Sequence, residues 1–362
     1  MKALVLEAPG RLVFQTDRPI PPAPDDRPAA LIRIAACGIC GSDIPRAFSG
    51  KAYHYPLVMG HEFSGVVEEP VLGGRFPRGT RVVVFPLIPR NMDTDSACQS
   101  GDYAQAADYD YFGSRRDGAF AEYLRVPEWN LLSVPDHVNL LHAALAEPAA
   151  VALHGVRKMH IQAGDDAAVF GAGPIGNLCA QWLKISGCGR VFVIDIDTPK
   201  LVLAEQMGFI PIPAREADPI RQILGATGGA GVKRCIEACG LPVTFLQATQ
   251  VAGRFGEVVF MGNIAGTFSI GEKDFSSILR RELTIYGTWN SKVASKVNSK
   301  IASSGADDWT TTLEHMDRDL LVAPLISDKP PLSEGPRIFD ELHQRCGQHI
   351  KVVFAIAPQD NP

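Results

Sequence analysis

This sequence of 362 residues predicts a two-domain α/β fold, in which a β-rich domain is joined to a doubly wound parallel-sheet domain. Three observations carry that prediction. Short apolar runs broken by Gly and Pro fill the chain up to residue 150. After that, apolar strands and helical segments alternate, the rhythm of a parallel sheet with helical crossovers. At the join, the apolar run Ala167 to Phe170 leads straight into Gly171-x-Gly173-x-x-Gly176 and then into a helical pattern.

The bulk numbers narrow the class. The length leaves room for two domains, each with its own core. An apolar content of 46 % against 21 % charged residues describes a globular chain. A net charge of −5 with no basic cluster argues against a nucleic-acid partner. Met1 to Gly10 reads as a strand and turn, without the apolar region and cleavage site of a signal peptide. No apolar run reaches the ~18 residues a membrane span needs, so no membrane partner is expected. Eight scattered cysteines suit reduced thiols, and the expected location is cytoplasmic.

Taken in order, the first strands are Leu4–Leu6, Leu31–Ile34, Gly65–Val67, Arg81–Phe85 and Glu122–Val126. Turn signals separate them at Ala8-Pro-Gly10 and Pro24-Asp-Asp26. Around Leu145-Ala-Glu-Pro148 the pattern changes, and Ala149 to Met159 has helical composition. Beyond the glycine turn, Ile175, Leu178, Trp182 and Ile185 share one helical face. Val191–Ile194 is the second strand, ending in Asp195. A helix over Pro199–Met207 is bounded by a proline near its start and Gly208 past its end. Four further strands are Ile210–Ile212, Arg234–Glu237, Val258–Met261 and Leu283–Tyr286. The tail closes on Ile350–Ala355, a strand expected to rejoin the N-terminal domain. The division is therefore 1–150 with 291–362, and 151–290, with no internal repeat.

The glycine turn predicts a dinucleotide. Gly171 makes the tight turn, Gly173 lets backbone approach the pyrophosphate, and Gly176 lets helix pack on strand. Asp195 stands where the adenosine ribose hydroxyls are read and would repel a 2′-phosphate, so NAD is the expected cofactor.

Three segments upstream offer metal donors: Cys37-Gly-Ile-Cys-Gly-Ser-Asp43, Gly60-His-Glu-Phe-Ser-Gly65 and Glu147-Pro148. Thiolate, imidazole and carboxylate all suit a catalytic zinc with an open coordination position. Cys40, His61 and Glu147 are too far apart in sequence to make a local zinc motif, and spacing alone leaves the matter open.

Residue identities go further. Those segments, with Arg116-Asp-Gly-Ala-Phe-Ala-Glu-Tyr123 and the glycine turn, resemble the zinc-dependent medium-chain dehydrogenases over nearly the whole chain. Cys40–Arg46, Tyr55-Pro56, Gly113–Gly118 and Ile278–Leu283 place the resemblance in the polyol dehydrogenase branch. It implies a GroES-like catalytic domain and a Rossmann domain. It makes Cys40, His61 and Glu147 zinc ligands, with Glu62 beside the metal as a direct or alternate ligand. Ser42 becomes the first hydroxyl of a proton relay, although Pro45 stands where many relatives place the histidine that ends it. The cofactor contacts it implies are Gly171, Gly173, Pro174, Ile175, Gly176, Asp195, Lys200, Met261 and Gly262, with Trp289 and Asn290 near the nicotinamide and substrate. The glycine turn would form one wall of a cleft between the domains.

The family often carries a second, structural zinc on four cysteines. Between Pro89 and Asp110 this chain has only Cys98, with Arg90, Asp95 and Ala106 at the other positions. One catalytic zinc per chain is therefore expected, and Asp93-Thr-Asp95 reads as a solvated loop. Cys37, Cys235 and Cys239 read as core thiols. Arg115-Arg116 offers either a fork for a substrate phosphate or an ion-paired loop. Arg280-Arg281 belongs near the cofactor or a helix C-terminus.

The implied reaction is oxidation of a secondary alcohol of a galactitol-type polyol or polyol phosphate by NAD, giving a ketose. The small-molecule substrate is the expected partner, in a homodimer or homotetramer. A cyclitol or amino-cyclitol dehydrogenase is the alternative within the chemistry. A non-catalytic NAD-binding relative is the alternative outside it, opposed by the retention of Cys40, His61, Glu62, Glu147 and Ser42.

Overall fold

The structure, a computed structural model, describes residues 1–22, 27–293, 307–345 and 349–357; the turn expected at Pro24-Asp-Asp26 lies outside them. The chain forms two compact units, 1–147 with 292–318 and 326–362, and 148–291 with 319–325. No helix among the described residues is long and apolar enough to cross a membrane.

The first unit is built around the strand Ala29–Gly38. Ile32 and Ile34, two apart, point to one face and are fully buried. Antiparallel to this strand run Glu62–Glu69, Tyr123–Pro127 and, from the far end of the chain, Lys351–Ala355. The tail strand thus joins the N-terminal sheet. Phe120 packs edge-on against Phe339 and Phe354, with ring centroids 5.9 and 5.1 Å away, and these rings anchor the core.

Register is what matters for function. Gly38 pairs with Glu62, so Cys40, just past the end of one strand, faces His61, just before the start of the next. On the other side Val353 pairs with Gly38, which brings Lys351 alongside Ile39. Three stretches remote in sequence therefore meet at one sheet end.

The second unit is a six-stranded, all-parallel sheet. Its spatial order is Ile210–Pro213, Val191–Asp195, Ala167–Phe170, Val232–Glu237, Ala252–Phe260, Thr284–Gly287. Read by sequence this is 3-2-1-4-5-6, the doubly wound order whose reversal point lies beside the first strand. All four residues of Ala167–Phe170 are buried, as a central strand covered on both faces requires.

Several boundaries differ from those read in the sequence. The helix expected from Ala149 begins at Ala146 and ends at Val156. Pro148 therefore lies in its first turn, where a missing N–H costs no hydrogen bond. Glu147 joins that turn. The fifth strand begins at Ala252 rather than Val258, because the chain irregularity at Phe255, with φ of 57°, leaves the pairing intact on both sides. Arg281 resolves the second arginine pair: it donates to the carbonyls of Thr249, Gln250 and Ala252, capping the end of the helix Pro242–Val251.

Candidate active site

In the first unit Cys40, His61 and Glu62 each offer a donor atom within 4.8 Å of the others, the one such cluster among the described residues. A backbone junction positions His61. Gly60 holds a φ of +94°, and a Cβ on it would lie 2.6 Å from the Phe120 ring and 2.8 Å from the Cys37 sulfur. Cys37 is accordingly a buried packing thiol beneath the turn.

Asp43, fully buried in the short helix Asp43–Phe48, ties the cluster together. It accepts from the Cys40 amide at 3.0 Å and from Arg46, and it lies 3.7 Å from His61 Nδ1. Ser42 is exposed and donates its hydroxyl to the Cys40 sulfur at 3.3 Å.

Glu62 is buried and ion-paired with Lys351, which also donates to the Ile39 carbonyl at 2.8 Å. Burial, the largest single influence, would lower the Lys351 pKa; Glu62, Cys40 and Glu147 together outweigh it and raise it. Glu147 is not one of the three convergent donors. Its Oε1 accepts from the Tyr111 hydroxyl at 3.2 Å, and the Tyr111 ring meets the His61 ring edge-on at 5.6 Å.

The donor set calls for a cation. Burial, with Glu62 and Asp43 nearby, pushes the Cys40 thiol up to about 12. Burial also pushes Glu147 up to about 7, against the pull of His61. His61 Nδ1 is buried without a hydrogen-bond partner. The Cys40 thiol and the Glu147 carboxyl that burial holds against ionisation, beside an imidazole nitrogen without a partner, fit a divalent zinc.

In the second unit the glycine turn has the shape that a dinucleotide requires. Gly171 sits at φ +109°, and a Cβ on Gly176 would lie 1.7 Å from the Gly171 carbonyl oxygen. A Cβ on Gly173 would meet nothing within 4 Å, so the protein's own packing does not demand glycine there. Gly173 is the N-cap of Pro174–Ile185 and gives no side-chain cap, leaving the amides of the first turn, including those of Ile175 and Gly176, to an anion.

Asp195 ends the neighbouring strand. It accepts from the amides of Ala172, Ile196 and Asp197 at 2.7, 2.7 and 3.0 Å. Its carboxylate is thereby held against the turn, with about one acceptor site left open, on Oδ2.

The remaining expected contacts are placed as follows. Lys200 pairs with Asp197 at 3.3 Å. Met261 packs its side chain against Gly155 and the Cys179 sulfur, and the amides of Met261 and Gly262 donate to the Glu237 carbonyl. Trp289 is 56 % exposed, and Asn290, at φ 57°, accepts from the Ser291 amide.

Residues 26–136 match the alcohol dehydrogenase GroES-like domain family, and residues 174–304 match the zinc-binding dehydrogenase family. The chain is 32 % identical over 300 residues to galactitol 1-phosphate 5-dehydrogenase of Escherichia coli K12, covering 82 % of this chain and 84 % of that one. It belongs to the polyol branch of the zinc-dependent medium-chain dehydrogenases.

The dehydrogenase fold agrees. The crystal structure of galactitol-1-phosphate dehydrogenase from Escherichia coli superposes with a TM-score of 0.88 at 29 % identity, covering 98 % of this chain and all of that one. A structure from Sinorhizobium meliloti 1021, bound to NADP, gives 0.85 at 28 % identity, with 98 % of each chain covered. The two expected domain types, and an oxidoreductase activity, are thus established for this dehydrogenase.

Two groups in this dehydrogenase's site escaped the sequence reading. Lys351 left one signal, a single cation in an otherwise apolar strand. Tyr111 left none. The Arg115-Arg116 pair lines a cavity that none of Cys40, His61, Glu62 or Glu147 lines.

Proposed function

We propose that this dehydrogenase oxidises a secondary alcohol of a galactitol-type polyol or polyol phosphate to the ketose, with NAD as acceptor. The observation that carries this is the convergence of Cys40, His61 and Glu62 in a protein of the polyol branch. Cys40 and His61 would hold zinc, with Glu62 and Glu147 as the carboxylates available to complete the set. Bound there, zinc would supply a Lewis acid that lowers the pKa of a substrate hydroxyl, and a dinucleotide held by its pyrophosphate at the glycine turn would supply the nicotinamide as hydride acceptor.

The chain's own groups do the rest. Asp43 fixes the Cys40 loop and faces the His61 ring, the kind of outer contact that holds a ligand's orientation. Lys351, itself held by the Ile39 carbonyl, ion-pairs with Glu62 and directs its carboxylate. The exposed Ser42 hydroxyl stands beside Cys40, where it can take the substrate's proton and pass it to water.

A structural zinc has no support in the segment expected to carry it. Asp95 commits its carboxylate to the amides of Ala97, Cys98 and Ala107, capping the helix Ser96–Gln99, and Cys98 is buried.

A panel of sugar alcohols, free and phosphorylated, followed by NADH absorbance, tests the substrate class. Turnover confined to simple primary alcohols would refute it. Asp195 makes a separate prediction. Asp195→Ala is expected to bring the kcat/KM ratio of NAD to NADP down about tenfold or more, since the carboxylate no longer repels the 2′-phosphate. A native enzyme that already prefers NADP would contradict the role given to Asp195.

A homodimer through the second unit is supported by its open edge. Among the described residues Thr284–Gly287 pairs on one side only. Ile285 is exposed on it, as are Phe275 and Leu279 on the adjacent helix Glu272–Arg280. Ile285→Lys should shift the protein to monomer by mass photometry.

A further inference from the structure

A cavity of about 680 Å³ in the first unit is lined, among the described residues, by five arginines, Arg18, Arg27, Arg115, Arg116 and Arg125, and by one carboxylate, Asp117. All five arginines are half-buried. Among the described residues, Arg18 is steadied by Asp117 at 2.9 Å, Arg116 by Asp110 at 3.4 Å, and Arg125 by Glu69. Asp110 and Glu69 do not line the cavity. Arg115 is held otherwise. Its Nη1 donates to the Tyr109 carbonyl, and its guanidinium lies over the Tyr53 and Tyr109 rings at 5.2 and 4.3 Å. Those groups fix the side chain, and no carboxylate among the described residues pairs with its charge.

We propose that this cavity binds a small phosphate monoester, as a second ligand separate from the alcohol substrate. Guanidinium groups stay protonated at any working pH and match phosphate oxygens as a fork. Their half-buried, concave arrangement focuses a positive field in a chain whose net charge is −5. The volume lies within the usual range for small-molecule pockets.

The same loop separates and couples the two sites. Gly118 forms part of the cavity wall, and a Cβ on it would lie 2.1 Å from the Gly60 carbonyl, so the backbone preceding His61 closes the cavity from that side. Arg115 and Arg116 follow Tyr111 by four and five residues, and the amides of both donate to the Tyr111 carbonyl. Tyr111 in turn meets Glu147 and His61. A phosphate that draws the arginines together therefore acts on the residue that touches both site groups. This inference does not depend on which polyol is oxidised.

The test uses inorganic phosphate, titrated by calorimetry into zinc-loaded protein already saturated with NADH, so that the nucleotide site is filled. Saturable binding is expected, weakened about tenfold or more in Arg115→Gln and, separately, in Arg116→Gln, with zinc content and NADH affinity unchanged. In steady-state assays phosphate should be non-competitive with the alcohol. Absence of saturable heat, unaltered affinity in both variants, or strict competition with the alcohol would each overturn the proposal.

Discussion

Lys351→Met is expected to destabilise the zinc-free protein by about 3–5 kcal/mol, the usual cost of breaking a buried ion pair from one side. Lys351 and Glu62 have side-chain exposures of only 4 % and 2 %, so removing the ammonium leaves a buried carboxylate without its cation in the zinc-free protein. Chemical denaturation should report this as a lower midpoint at unchanged slope. Adding Glu62→Gln to Lys351→Met should recover most of the loss, because the double variant buries no charge. A single variant within about 1 kcal/mol of the parent would show that the pair is not what holds this sheet end together.

His61→Ala is the variant expected to hurt turnover most, lowering kcat/KM by about a thousandfold or more. A Lewis acid held at this cluster would be worth several kcal/mol in the transition state, and about 1.4 kcal/mol corresponds to tenfold in rate. NADH affinity should stay near the parent value, since every residue of the glycine turn belongs to the other compact unit. Stopped-flow NADH binding alongside steady-state kinetics separates the two effects. Ser42→Ala should behave differently. It keeps the donor cluster and should lose about a hundredfold, the usual worth of a positioned proton-transfer group, with an altered pH profile of kcat.

The contrast between His61 and Lys351 shows what the sequence makes legible. Local chemistry was readable: the glycine turn, Asp195 at a strand end, and the Cys40 and His61 segments all stand as short motifs. The doubly wound order followed from apolar runs of the right length alternating with helices. Lys351 was not readable, because its place depends on the register Val353–Gly38, which pairs the chain's tail with a strand more than 300 residues earlier. Tyr111 depends in the same way on tertiary packing that carries no short-range pattern.

Element boundaries failed for a different reason. The helix at Ala146 was read three residues late, because Pro148 looks like a barrier until its place in the first turn is known. That small shift carries Glu147 out of a connecting loop and into the helix. The arginine pair Arg115-Arg116 was legible as charge but not as location: the structure puts it on a cavity that the metal donors do not line.

Removing and restoring the metal tests the central claim most directly. Dialysis against a chelator should abolish alcohol oxidation while NADH binding, read by fluorescence, is unchanged, and zinc alone should restore activity at about one ion per chain. Metal-free protein that still turns over the alcohol at the parent rate would contradict it.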